Sequence, residues 1–207
     1  MQSSWNFIIA SIVLVTTIQV TLLQCTAMMQ TSNYRDYESY TNPRLKFKLE
    51  YPSDWVVHEL DAPALSSLRG IVFFEPLKDE QELQSGATVE MPLISILAEP
   101  IKSRNITIEE VARLQLANIR YLFYDFDFNF VNKTNITIGN NTAIKTDYTI
   151  VDPFTTYRGN LGIKNGMEVW IIRADTLYTI SFFGAQDQYF KFLPAVQNLM
   201  NSIRFIE

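Results

Sequence analysis

Between residues 45 and 51 apolar and charged positions alternate strictly, with Leu45, Phe47, Leu49 and Tyr51 on one side and Lys46, Lys48 and Glu50 on the other. A period of two predicts a strand with one buried face, and Pro52, which cannot donate to a ladder, ends it. "IVFFEP" at 71–76 and "PLISILAEP" at 92–100 predict two more strands, each closed by a proline. Then the period changes. Thr107 and Glu110 form a capping box, and Ile106 with Val111 a hydrophobic staple, so a helix starts there. Val111, Leu114, Ile119 and Leu122 recur at helical spacing, predicting a buried stripe that runs to about Phe123 and covers one sheet face.

The second half returns to alternation. "DFDFNFV" and "AIKTDYTIV" read as an antiparallel pair joined through "IGNNT", whose residues tolerate positive φ. Asn165-Gly166 in "LGIKNGMEVWII" carries the sequence signature of a two-residue hairpin turn, and "RADT" turns the following strand into "LYTISFFGA". A meander of four or five strands results. Tyr189, Phe192, Val196, Leu199 or Met200, and Ile203 then share one helical stripe, with Pro194 predicting a kink, or a short first turn before the main helix. Strands and helices do not alternate regularly, so the class is α+β with a mainly antiparallel sheet.

Before the domain, residues 7–23 ("FIIASIVLVTTIQVTLL") form the one long apolar run, where a signal peptide or N-terminal anchor lies. No Lys or Arg precedes it while Arg35 and Arg44 follow, which by the positive-inside rule opposes an outward-facing C-terminus. Residues 1–27 are read as signal or anchor, 28–43 ("MMQTSNYRDYESYTNP") as a polar tether without periodicity, and 44–207 as one domain. Three fates of the leader stay open: lipidation at Cys25 in "LLQC", cleavage after Ala27, or retention as an anchor. Each places the domain outside the membrane. Cys25 is the single cysteine, so the domain holds no disulfide and its stability must come from packing. Acceptor motifs for N-glycosylation stand at Asn105, Asn132, Asn135 and Asn140.

A net charge of -5 and no dense basic run exclude a nucleic-acid partner. Catalytic equipment is thin. A Ser/His/Asp triad has only His58 to use, beside Ser53, Ser66 or Ser67, and neither G-x-S-x-G nor S-x-x-K occurs. "HELDA" has Ala62 where a zinc protease has its second histidine. Asp125, Asp127 and Asn129 match the first ligand spacings of an EF-hand loop, but Phe130 and Ile136 replace the required Gly and Glu, so a solvated strand ladder is the better reading. Asp54, His58, Glu59 and Asp61 are a candidate divalent-metal cluster if one loop gathers them. No catalytic residue and no cofactor is assigned.

Two segments carry a family likeness. A strand closing in "YPSDW" (Tyr51, Pro52, Trp55), and a final strand running through a small-residue turn into a helix (Tyr178, Ile180, Phe182, Tyr189, Pro194, Ser202), resemble the PsbP-like family. That resemblance implies an α/β/α sandwich with a central, largely antiparallel sheet of about six strands. Members of the family include an extrinsic lumenal subunit of photosystem II, and many are exported, membrane-tethered proteins; they act by binding rather than catalysis. The photosystem role is not carried over, and the sequons with the uncharged leader suit an archaeal cell surface. The function expected is a non-catalytic, extracytoplasmic binding or assembly module with a protein partner at the membrane or cell surface, held there by its N-terminal segment. It requires a contiguous exposed aromatic patch. The alternative, a small-ligand or divalent-metal carrier, requires a cavity between sheet and helix or a convergent 54–61 cluster.

Overall fold

The computed structural model describes residues 36–60, 69–76, 92–101, 105–157 and 160–207, with backbone alone at 152–157 and 160–161. The apolar leader and Cys25 lie outside the described residues, among which no helix is long and apolar enough to cross a membrane. Among the described residues ten strands and two helices follow in the order β1 (Tyr37–Asn42), β2 (Phe47–Pro52), β3 (Trp55–Leu60), β4 (Gly70–Pro76), β5 (Leu93–Pro100), α1 (Ile108–Leu122), β6 (Asp127–Ile138), β7 (Asn141–Tyr157), β8 (Asn160–Arg173), β9 (Thr176–Ala185), α2 (Gln186–Ser202) and β10 (Arg204–Phe205).

Every pairing among the described residues is antiparallel. The large sheet has seven strands in the order β3-β4-β5-β9-β8-β7-β6, and a second sheet has three, β1-β2-β10. The seven-stranded sheet is the expected central sheet of about six strands, and the three-stranded sheet is added beside it. The topology explains where α1 lies. After β5 the chain must reach the far edge to start β6, so α1 crosses the face of the strands that later fill the gap, packing on β7 and β8. The meander β6 to β9 then returns until β9 pairs with β5.

Because side chains alternate across a strand, the sheet builds two cores. Met167, Val169 and Ile171 of β8, with Tyr178, Ile180 and Phe182 of β9, face α2 and the small sheet, meeting Tyr189, Phe192, Val196 and Leu199. Trp170, Leu177, Ile144, Tyr148 and Ile150 face the other way, toward Val111, Ala112 and Ile119 of α1. Helices thus cover opposite faces, giving an α/β/α sandwich of α+β class. Thr107 caps α1 as its spacing predicts, its Oγ1 accepting from the Glu110 N–H at 3.2 Å.

Four readings need correction. Residues 37–42, read as the end of a tether, form β1, whose register pairs Tyr40 with Leu49 and Asn42 with Phe47. Asn165-Gly166 is no hairpin turn but lies inside β8, Gly166 opposite Tyr148. A methyl group at Gly166 would overlap the Tyr148 ring, so the glycine serves ring packing rather than a turn. The α1 stripe is only partly buried: Val111 and Ile119 are covered while Leu114 and Leu122 are exposed. Finally, no separate first turn precedes a main helix at Pro194: α2 is one helix from Gln186 to Ser202, packed against β2, β8 and β9 despite the missing N–H.

The residues that carried the family likeness tie the layers together. Tyr178 Oη donates to the Leu45 carbonyl at 2.9 Å. Ser202 Oγ accepts from the Glu50 N–H at 2.8 Å and donates to the Leu199 carbonyl at 2.7 Å, fixing the end of α2 to β2. Trp55, buried as expected, meets Phe192 edge-on at 6.0 Å, and Phe182 stacks on Tyr189 at 4.5 Å.

Candidate functional site

The stretch from Asp54 to Asp61 was the densest in chemistry, and the strand it forms takes it apart. His58 and Glu59 are consecutive in β3 and so project from opposite faces. His58 Nε2 lies 3.9 Å from Glu75 Oε2, both side chains exposed. Glu59 is turned to the small sheet, where its carboxylate accepts from Tyr40 Oη at 2.7 Å and Asn42 Nδ2 at 3.2 Å. Asn42 Oδ1 in turn accepts from the buried Leu45 N–H at 2.8 Å. This network fastens β1 to the edge strand β3, and burial pushes the Tyr40 hydroxyl far above its ordinary range. Asp54 sits in the exposed turn before β3, and Asp61 lies outside the described residues. The metal cluster therefore does not assemble among its described members, and no group of three or more His, Cys, Asp or Glu able to hold a metal occurs among the described residues. Among the described residues His58 faces the surface carboxylate of Glu75, while Ser66 and Ser67 lie outside them.

The glycosylation candidates fare differently. Asn105, Asn132, Asn135 and Asn140 are all exposed. Asn132 and Asn135 stand on β6, while Asn140 (φ 65°) occupies the turn to β7 beside Gly139 (φ 51°), the left-handed pair that a tight hairpin requires. Asp127 and Asn129 lie exposed on β6, and Asp125 in the turn before it, as the ladder reading expected.

An aromatic patch occupies the junction between α1 and β6. Leu122 lies three turns beyond Val111 and on the same side by helical periodicity, yet it is 70% exposed, flanked by Tyr121 at 77% and Tyr124 at 75%. The two tyrosine rings stack at 6.4 Å. Arg120 lies 5.6 Å over the Phe128 ring and links the last helical turn to the start of β6, where Phe130 and Val131 are again exposed. Phe123 stays inside, stacked on Phe183 and edge-on to Phe126, so the patch rests on a fixed aromatic base. Such a surface, large, aromatic and furnished with arginine, has the composition of protein-binding hot spots.

One functional group escaped sequence reasoning. Glu168 of β8 lies beneath the α1 face, only 9% exposed. Ser181 Oγ donates to its Oε2 at 2.6 Å, and Tyr148 also hydrogen-bonds to it. Burial pushes the carboxyl up to about 7, against the opposing pull of those two hydroxyls. Burial and the Glu168 carboxylate together push the Tyr148 hydroxyl upward. The trio can hold and exchange a proton near neutral pH, but it is enclosed by packed rings rather than presented to a substrate. The signal was present in "MEVWII", a lone carboxylate at the same parity as Trp170 in an apolar run; assigning Asn165-Gly166 to a turn concealed it.

By sequence, no relative was found among curated proteins. Among solved structures the fold is similar to cyanobacterial PsbP (CyanoP) from Synechocystis, with a TM-score of 0.57 and 10% identity over 84% of this chain and 95% of that one. It is also similar to a protein of unknown function from Pseudomonas aeruginosa, with a TM-score of 0.50 and 14% identity over 80% and 94% of the two chains. At these identities the likeness is one of fold. The sequence itself matches the family model described as PsbP-like protein over residues 6–205, and the chain therefore belongs to the PsbP-like family.

Proposed function

We propose that this protein is a non-catalytic, extracytoplasmic binding or assembly module, tethered or secreted through its N-terminal segment, and that it docks a protein partner through the patch of Tyr121, Leu122, Tyr124 and Phe130. The observation that carries this reading is the cluster of large side chains left exposed where α1 overruns its cover. Burying such rings in a partner is the main favourable term open to this surface. A protein partner is favoured over an anionic membrane because the exposed Asp125 and Asp127 flank the patch and would repel acidic headgroups.

The test is mild crosslinking and purification of the intact protein from its source, beside a Tyr121→Ala/Tyr124→Ala variant. A partner captured by the native chain and lost from the variant supports the reading. The variant should keep its melting temperature, because both rings are exposed. Equal capture by both proteins defeats the patch, whereas recovery of monomer alone, with a thermal shift on adding divalent metals, would favour the carrier alternative.

A further inference from the structure

The open edge of the large sheet carries two of the four glycosylation motifs, and the turn that follows it a third. Among the described residues β6 pairs only with β7 and ends the strand order, so its outer N–H and C=O groups meet no other described strand along its twelve residues. The exposed Phe130 and Val131 make that edge apolar toward its start. A register shift between Phe130 and Asn132 and the exposed Lys133 blunt it in part. Beyond the shift, Asn132 lies opposite Asp147 and Asn135 opposite Ile144. Asp147 pairs with Met167 on the α2 face, and Ile144 with Trp170 on the α1 face. The two asparagines therefore project from opposite faces of one edge, roughly 10 Å apart along the strand, and both are exposed. Asn140 ends the same hairpin.

We propose that β6 is an edge closed by carbohydrate: N-linked glycans on Asn132 and Asn135 stand on both faces of the open ladder, exclude a second strand, and leave the aromatic end of β6 to the partner. This rests on the extracytoplasmic reading, since the donor is a lipid-linked oligosaccharide phosphate and the catalyst a membrane transferase. In the transfer, Asn Nδ2 bonds to the anomeric carbon of the sugar, and the carbon–oxygen bond to phosphate breaks. The lipid phosphate leaves with that electron pair, and Nδ2 gives one proton to a base of the transferase. Thr134 and Thr137 supply the hydroxyls that the acceptor motif demands. Two hydrated glycans flanking an edge act as charged or proline gatekeepers do elsewhere, by making strand addition sterically costly.

The full chain purified from its source cells, in mild detergent, is analysed by intact mass and glycopeptide mapping. The expected result is a mass above that of the unmodified chain, mapped to Asn132 and Asn135; peptides bearing both asparagines unmodified overturn the proposal. An Asn132→Gln/Asn135→Gln variant is expected to lose that mass and to shift from monomer to concentration-dependent dimers and larger species in sedimentation. A modification-free variant that stays monomeric overturns the part assigned to carbohydrate at the edge. Thr134→Ala/Thr137→Ala removes the same two motifs while leaving both asparagines in place, and answers the question if the glutamines disturb folding. Partner capture through Tyr121 and Tyr124 is read separately, so either result stands without the other.

Discussion

Beneath α1, between Ser181 and Tyr148, a carboxylate occupies a place that hydrocarbon would ordinarily fill. Glu168 holds its proton up to about 7 in the fold, while the unfolded chain releases it near the ordinary 4.5. The native state therefore binds more protons across that window, and stability falls as pH rises through it. The contribution is complete below about 4.5 and lost once pH passes 7; the shift corresponds to about 3 kcal/mol. Glu168→Gln, which keeps an oxygen for Ser181, should flatten the stability profile between pH 4.5 and 7, as urea unfolding at a series of pH values will show; an unchanged slope would place the titration elsewhere. Gly166 is the second residue of this face that matters singly. Tyr148 is stacked between Phe128 at 5.4 Å and Phe183 at 6.5 Å, so it cannot yield to a new methyl group. Gly166→Ala is expected to cost about 1–3 kcal/mol as overpacking, measurable by chemical denaturation, where a neutral result would mean the ring has room to move.

Among the elements, α1 was legible because its start is written locally: Thr107, Glu110 and Ile106 act within one turn, and the cap forms as they predict. Thr107→Ala should cost about 1 kcal/mol by leaving the Glu110 N–H without its acceptor, read from a lowered melting temperature. The first strand was not legible, since "YESYTN" has mixed polarity and one exposed side. Its stability comes from elsewhere: the ladder offered by β2, the edge-on packing of Tyr40 on Phe74 at 5.5 Å, and the bonds from Tyr40 and Asn42 to Glu59. Asn42→Ala strands the buried Leu45 N–H and leaves the Glu59 carboxylate held by Tyr40 alone, and about 1–3 kcal/mol should be lost. If thermal unfolding finds no change, β1 is held by its ladder alone.

For the whole molecule, the seam at Pro52 to Trp55 is where the chain leaves the small sheet and becomes an edge of the large one. A chain beginning at Arg44 would omit β1, uncover one edge of β2 and leave Glu59 without its partners. It should melt well below a chain beginning at Asp36, and equal melting temperatures would restore the view of residues 28–43 as a mere tether. What the sequence by itself determined is local or periodic: the strand faces, the α1 cap, the α2 stripe, the Gly139-Asn140 turn and the family, because alternation, capping and turn chemistry act over a few residues. Only the tertiary structure decided that Asn165-Gly166 lies under a ring, that His58 and Glu59 part company, that Leu122 overhangs its cover, and that Glu168 lies in a core. His58 and Glu59 part by alternation once that stretch is a strand; the others depend on which distant elements come to lie alongside, and that arrangement follows from packing the whole chain rather than from any window within it.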